Sequence, residues 1–260
     1  MVRRFFSQCW LYLKAMQAAF DPEEVIFTQF AMPLLTLILY VLLASFSFNT
    51  MDLQQWVLGN AMLMCALSSI AETAWCFQNE RWMGRLRSII VAPANKMAII
   101  MHHGFFGIIF GILSIVVGFV AASFIFSVDL SGVNLPLLFL TVVIATFSAS
   151  GFGVFLSVVG LLTDGIEMLV NIMLEVLLIL TGANFPISQL PRPVQVISWI
   201  FPLTHSIEAG NILFKSGPTV DFTRAIMIEI LIGLMFFLAA TLSLESIIKV
   251  AKRKGSLEIY

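Results

Sequence analysis

The stretch "NERWMGRLRSIIVAPANK", Asn79 to Lys96, carries four of the fourteen basic residues of a chain that is only 11% charged. Apolar runs flank it on both sides. The 260-residue sequence is 60% hydrophobic with a mean hydropathy of +1.00, against about 45–50% apolar for a soluble domain. The excess lies in runs long enough to cross a bilayer, which takes roughly 20 mostly apolar residues. The pattern predicts an all-α, polytopic membrane protein in which Asn79–Lys96 is a charged loop between two spans.

Working outward, the apolar runs predict six spanning helices, at about Val25–Phe46, Trp56–Phe77, Met97–Val128, Leu135–Leu162, Ile166–Thr181 and Ala225–Ile248. As a helix the third would be roughly 46 Å long, beyond the ~30 Å hydrocarbon core. Its start, with His102 and His103, therefore projects past the lipid or tilts. Lys and Arg concentrate in cytoplasmic loops. Eleven of the fourteen fall in the N-terminal segment (Arg3, Arg4, Lys14), the quoted loop (Arg81, Arg85, Arg87, Lys96) and the C-terminal segment (Lys249, Lys252, Arg253, Lys254). The other three, Arg192, Lys215 and Arg224, precede the last span. Both termini and the quoted loop are thus expected inside.

In the first twenty residues, Phe5, Cys9, Tyr12 and Met16 recur at helical spacing, with Phe6, Trp10 and Leu13 widening that face. Arg3, Arg4, Ser7 and Lys14 lie elsewhere on the wheel. This reads as a helix lying in the membrane surface, not as a secretory signal, because Ser7, Gln8, Lys14 and Gln17 break the apolar run. Asp21-Pro22-Glu23-Glu24 then suits the start of the first span. Cys9, Cys65 and Cys76 form no Cys-x-x-Cys pair and read as packing residues.

Within the quoted loop, Trp82, Leu86, Ile89 and Ile90 share one helical face, Arg81, Arg85 and Ser88 another, and Pro93 ends the pattern. Two readings stand. One is a positive-inside loop whose cations snorkel. The other is a helix that docks a cytoplasmic partner.

Glu80-Arg81, then Gly84-Arg85-Leu86, then Ala92-Pro93 resembles the first cytoplasmic loop of type-2 ABC exporter permeases (the ABC-2 family). That loop reads Glu-Arg, Gly-Thr-Leu, then a small residue and Pro; here Arg85 replaces the Thr. "NFPISQLPRPVQVISWIFPLTHSIEAGNIL", Asn184 to Leu213, is similar to the family's segment before its last span. That segment has a Pro-Ile/Val-x-x-Leu-Pro turn, an aromatic-rich helix, then Pro-Leu-Thr and an acid-containing helix start. Asn211 stands where the family usually has a basic residue.

The resemblance covers the whole chain and implies one transmembrane domain over 1–260. Its parts would be an interfacial helix at 1–20, a cytoplasmic coupling helix at 79–96 and an extracellular re-entrant segment at 184–222. It implies two paired permeases, as a homodimer or heterodimer. Each would dock an ATP-binding cassette ATPase through Glu80, Arg81, Trp82, Gly84, Arg85, Leu86 and Arg87. A phosphate-cradling loop needs Gly-x-x-x-x-Gly-Lys-Ser/Thr, and the sequence has no Gly-Lys dipeptide. No cofactor and no catalytic residue is therefore expected on this chain. ATP and Mg would sit on the partner, and nucleic acid is not expected as one.

Five prolines, at 186, 191, 193, 202 and 218, break the segment before the last span, yet Val194, Val196, Ile197, Trp199, Ile200 and Phe201 make it apolar. Such backbone must be buried in protein or lie at the interface, because lipid cannot satisfy its amides. Two short helices are expected, about Pro193–Ile200 and Thr204–Phe214. They would shape an outer gate with Pro186, Leu190, Pro191, Trp199, Phe201, Pro202 and His205, or lie on the surface with no gating role.

Charges inside spans usually face an interior or a pathway. Glu167, Asn171 and Glu175 form one stripe of the fifth helix; Asn60, Ser68 and Glu72 form another on the second. The resemblance puts both helices at the subunit interface. Asn60, Ser68, Glu72, Asn171 and Glu175 are thus candidate lining of a translocation path, or hydrogen-bonding residues between helices. Glu245 is expected to snorkel towards Lys249 at i+4; Glu229 has no assigned role. Adjacent residues point about 100° apart on a helix, so His102-His103 is not a metal site. His205 reads as a hydrogen bonder near a helix start.

The function expected is the permease subunit of an ATP-driven exporter in a prokaryotic plasma membrane, moving an amphipathic drug, toxin, peptide or lipid-linked molecule. A polysaccharide or teichoic-acid exporter is the rival within the class and would need aromatic residues along a continuous groove. An ion-coupled secondary transporter usually has paired broken helices, and only one broken segment is visible here. An intramembrane protease would need a metal or paired-acid motif, which the sequence lacks.

Overall fold

The computed structural model describes residues 27–48, 53–92, 95–126, 132–163 and 165–254, with Ser7, Trp10, Lys14 and Glu23 before them. The predicted interfacial helix at 1–20 and the Asp21-Pro22 cap fall outside the described residues, as do the side chains of Cys65, His102 and His103. Every regular element among the described residues is helical.

A π-helical turn, Phe27–Ala31, leads into α1 (Met32–Phe48). There follow α2 (Gln54–Ala74), the short α3 (Cys76–Trp82) and α4 (Leu86–Val91), and the long α5 (Lys96–Phe126). Next come α6 (Leu135–Val159), with a 3₁₀ turn at Gly160–Leu162, and α7 (Ile166–Leu180). A 3₁₀ turn at Ile187–Gln189 precedes α8 (Arg192–Ser198), α9 (Thr204–Ser216) and α10 (Val220–Lys254). Local chemistry sets several of these limits. Asn134 caps α6 by accepting from the Leu137 N–H at 3.3 Å, with Pro136 in the first turn. Asp221 opens α10, and Lys249, Lys252 and Arg253 lie in its last turns. These charges complement the helix dipole and carry α10 past the apolar run at both ends.

Gln54–Ala74, Leu135–Leu162 and Val220–Arg253 are long and apolar enough to cross a membrane, and Met32–Ser47 and Gly111–Phe126 are shorter apolar helices among the described residues. The fifth predicted span is the weakest. α7 has 15 residues, roughly 22 Å of helix, short of a ~30 Å hydrocarbon core.

α6 is the central helix and packs against α2, α5, α9 and α10. Small residues from Ser148 to Gly153 let it do so. A Cβ on Gly151 would lie 2.8 Å from the Gly233 carbonyl oxygen, and one on Gly233 would lie 2.9 Å from the Ser148 Cα. α6 and α10 therefore meet backbone to backbone, which in lipid replaces the missing hydrophobic drive with close van der Waals packing.

Two apolar clusters result. The larger includes Leu37, Leu63, Val142, Leu177, Leu203 and Phe222. The second gathers Phe77, Leu86, Ile90, Ile100, Leu161 and Ile248. It joins α3, α4, the start of α5, the end of α6 and the end of α10. The loop at Glu80–Ile90, the α6–α7 turn and the end of α10 thus meet in one place.

The quoted loop departs from its expected form. It is not one amphipathic helix. The chain turns at Met83 and Gly84, the latter at φ +68°, and α3 and α4 point their faces differently. Leu86 and Ile90 turn inward, Leu86 to 1% exposure, while Trp82 stays 55% exposed. The shared face of Trp82, Leu86, Ile89 and Ile90 does not exist, because a left-handed residue interrupts the helical phase.

Candidate functional site

Glu80 and Arg85 close the turn around Gly84. The Arg85 Nε and Nη2 donate to the two Glu80 carboxylate oxygens at 2.9 and 3.0 Å. The Arg85 and Gly84 amides donate to the Glu80 and Arg81 carbonyls, each at 2.9 Å. Glu80 is buried and the Arg85 side chain half exposed. Bidentate guanidinium–carboxylate geometry fixes orientation better than a Lys could. Arg85, the residue that departs from the family's Thr, is thus a structural partner of Glu80. Arg81 is buried and donates from Nη1 to the Thr163 carbonyl at 3.0 Å and from Nη2 to the Gly160 carbonyl at 3.5 Å. A cation at the end of a helix satisfies its orphan carbonyls, and here it ties the loop to the α6–α7 turn. Trp82, Met83, Gly84 and Arg87 remain exposed.

The acid stripe lies elsewhere. Asn171 and Glu175 on α7 line a groove of about 670 Å³, together with Tyr40, Leu43 and Ala44 of α1 and Phe185 beyond α7. The α2 stripe does not join them. Asn60 is fully buried, and its Nδ2 donates to the Trp56 carbonyl at 3.0 Å on its own helix. Ser68 does the same to Met64 at 3.2 Å, and Glu72 is half-buried on α2. The expected shared lining thus reduces, within one chain, to its α7 half. The Asn60 and Ser68 donors are satisfied on their own helix, while the buried Asn60 Oδ1 has no partner among the described residues.

The proline-rich segment before α10 forms two helices, α8 and α9, close to the expected positions. Gln195 Nε2 donates to the Leu190 carbonyl at 2.7 Å, holding the Pro186–Pro191 strap against α8. Thr204 Oγ1 donates to the Ser198 carbonyl at 2.7 Å. The His205 Nε2 lies 3.2 Å from the Trp199 carbonyl oxygen and its Nδ1 3.3 Å from Glu208 Oε2. The Trp199 and His205 rings meet edge to face at 5.9 Å, and Phe201 packs on Phe152 at 5.7 Å. Burial opposes charge on His205. The Glu208 hydrogen bond and the Glu229 carboxylate outweigh it and hold the imidazole above its usual value. His205 in turn holds Glu208 below the usual carboxylate range. Pro202 and His205 are buried, whereas Val196, Ile197, Trp199 and Ile200 present an exposed apolar face. Among the described residues no three His, Cys, Asp or Glu side chains could hold a metal.

Glu229 had no role in the sequence reading, and the structure supplies one. It is fully buried on α10, and its carboxylate accepts from the Leu203 and Ser206 amides. The only sequence signal was an acid within an apolar run, with nothing to indicate its partner 23 to 26 residues upstream.

The described residues thus form an all-helical domain with several apolar helices, a clasped loop at Glu80–Arg85 and a proline-broken segment before α10. The chain belongs to the ABC-2 type transporter family, whose model matches residues 8–215. Among curated proteins none matches the sequence. Permeases of this family generally work with an ATPase subunit.

Proposed function

We propose that this chain is the transmembrane subunit of an ATP-driven exporter in a prokaryotic plasma membrane. Residues 1–260 form one transmembrane domain with both termini inside; two copies, or this chain and a second permease, enclose the path, and separate subunits bind ATP and Mg. The observation that carries the reading beyond family membership is the Glu80–Arg85 clasp. It presents Trp82, Met83 and Gly84 as a rigid exposed knob at the end where α10 and the α6–α7 turn also finish. An exposed Trp on a fixed turn is the kind of anchor that dominates interface energy. Leu86, expected in this interface, is replaced there by Met83, because its own side chain fills the inner cluster.

The path reading rests on the α1–α7 groove, whose volume lies in the range of drug-sized sites, about 300–1,000 Å³. Apolar walls with one carboxylate, Glu175, favour an amphipathic cargo carrying a cation over an anionic one. A polysaccharide cargo is disfavoured by the lining, in which Tyr40 and Phe185 are the aromatic residues among those described.

The test is co-purification with the cognate ATPase. Trp82→Ala should lower affinity for it by roughly 30-fold or more, as for a hot-spot aromatic, while the permease stays folded. Unchanged affinity, with unchanged nucleotide-dependent transport, would remove the knob from the interface.

A further inference from the structure

Leu203 has φ +78°, a left-handed conformation that side-chain-bearing residues rarely adopt. It stands at the N-cap of α9, where the first amides have no acceptor within the helix, and a Leu side chain cannot provide one. The acceptor comes from another helix. Glu229 of α10 takes the Leu203 N–H on Oε1 at 2.7 Å and the Ser206 N–H on Oε2 at 3.2 Å. Ser206 is the third helical residue after that cap, so one buried carboxylate satisfies both amides that a capping box satisfies with two side chains. The turn it holds is Pro202–Ser206, buried throughout.

The same helix reaches the other end of the molecule. Leu244, Ile248 and Ala251 of α10 pack in the inner cluster with Leu86 and Ile90 of α4. From position 229 to 248 this is continuous helix, about 28 Å long. A stiff rod is therefore fastened at one end by apolar packing to the clasped loop. At its other end it is fastened by two buried hydrogen bonds from the Leu203 and Ser206 amides to Glu229.

We infer that Glu229 is a positioning residue that fastens the Leu203–Ser206 turn to α10, so that α8 and α9 follow the last helix as a unit when the inner loop moves. A purely stabilising role could be filled by apolar packing, which is cheaper to bury than a carboxylate. What packing would not supply is a directional joint between a helix start and a crossing helix. The motion rests on the exporter reading; the fastening does not.

The test uses the full chain with its ATPase subunit, with Cys9 and Cys65 replaced and Ser206→Cys introduced. Cys76, buried in the inner cluster, reports on global integrity. Maleimide labelling in detergent is compared for Glu229, Glu229→Gln and Glu229→Ala. Gln keeps one acceptor but sets an NH₂ group against a backbone donor, so one of the two bonds is lost. The expected result is a rise of about tenfold in labelling at position 206, with Cys76 still protected. Vanadate-trapped nucleotide should change labelling at 206 in the unsubstituted protein, and that change should vanish in Glu229→Gln. Unchanged resting labelling in both variants, parallel exposure of Cys76, or a retained nucleotide response in Glu229→Gln would each overturn the inference. If the unsubstituted protein showed no nucleotide response at all, the exporter reading and the motion would fall together. The resting rates would still decide the fastening.

Discussion

Leu86 and Trp82 sit four residues apart in one short loop and do opposite work. A sequence wheel puts them on one face, but Gly84 breaks the phase between them. Leu86 then becomes part of the inner cluster at 1% exposure, and Trp82 part of the surface. Substituting Leu86→Ala should cost about 2–5 kcal/mol, and Leu86→Asp should abolish folded protein, since it buries an unpaired charge. Trp82→Ala should change stability by no more than about 0.5 kcal/mol. Thermal unfolding in detergent checks all three, and a folded, normally stable Leu86→Asp variant would contradict the packing described. Glu80 and Arg81 were legible as important residues from their motif. Their mates, Arg85 across the turn and the Gly160 and Thr163 carbonyls on another element, were not. Long-range partners leave no periodic trace in a sequence.

Among the elements, α6 depends on small residues rather than large ones. The stretch "SASGFG", Ser148 to Gly153, is rich in small residues. In the fold α10 approaches it backbone to backbone, with Gly233 as the opposing residue. A Cβ at Gly151 would also stand 3.0 Å from the Phe237 ring. Gly151→Ala should therefore push the two backbones apart and destabilise the protein by about 1–3 kcal/mol, despite Ala being the better helix former. A rise in thermal stability on that substitution would mean that the helices are less closely packed than described. The broken outer segment is a contrasting case. Its prolines and apolar residues predicted two short helices, and α8 and α9 lie within a few residues of the expected bounds. Their mutual placement depends on Thr204, His205 and Glu229, which no local rule connects.

At the scale of the whole molecule, the α1–α7 groove is an open wall. Asn171 and Glu175 line it, while Asn60 is buried in the bundle and Ser68 bonds to its own helix. A path enclosed by a second subunit would be completed there. Glu175→Gln should reduce transport of a cationic amphiphile by about tenfold, the equivalent of about 1.4 kcal/mol, with basal ATP hydrolysis unchanged. Glu175→Lys should reduce it further through repulsion. Transport assays in proteoliposomes with one cationic and one neutral cargo separate charge recognition from packing. Equal losses for both cargoes would assign Glu175 to packing.

Composition, hydropathy and charge placement were sufficient to establish a helical membrane protein, the locations of its apolar helices and the grouping of its basic loops. These properties are local or additive along the chain, so they can be read without coordinates. The two motifs were likewise legible, and the family match agrees with them. Only the tertiary structure decided which way Leu86 turns, that Arg85 closes on Glu80, that the α2 and α7 polar stripes stay apart, and that Glu229 caps a helix other than its own. Each of these depends on the relative phase and approach of two elements. Helical periodicity constrains every element separately and leaves that relation open until the backbones pack.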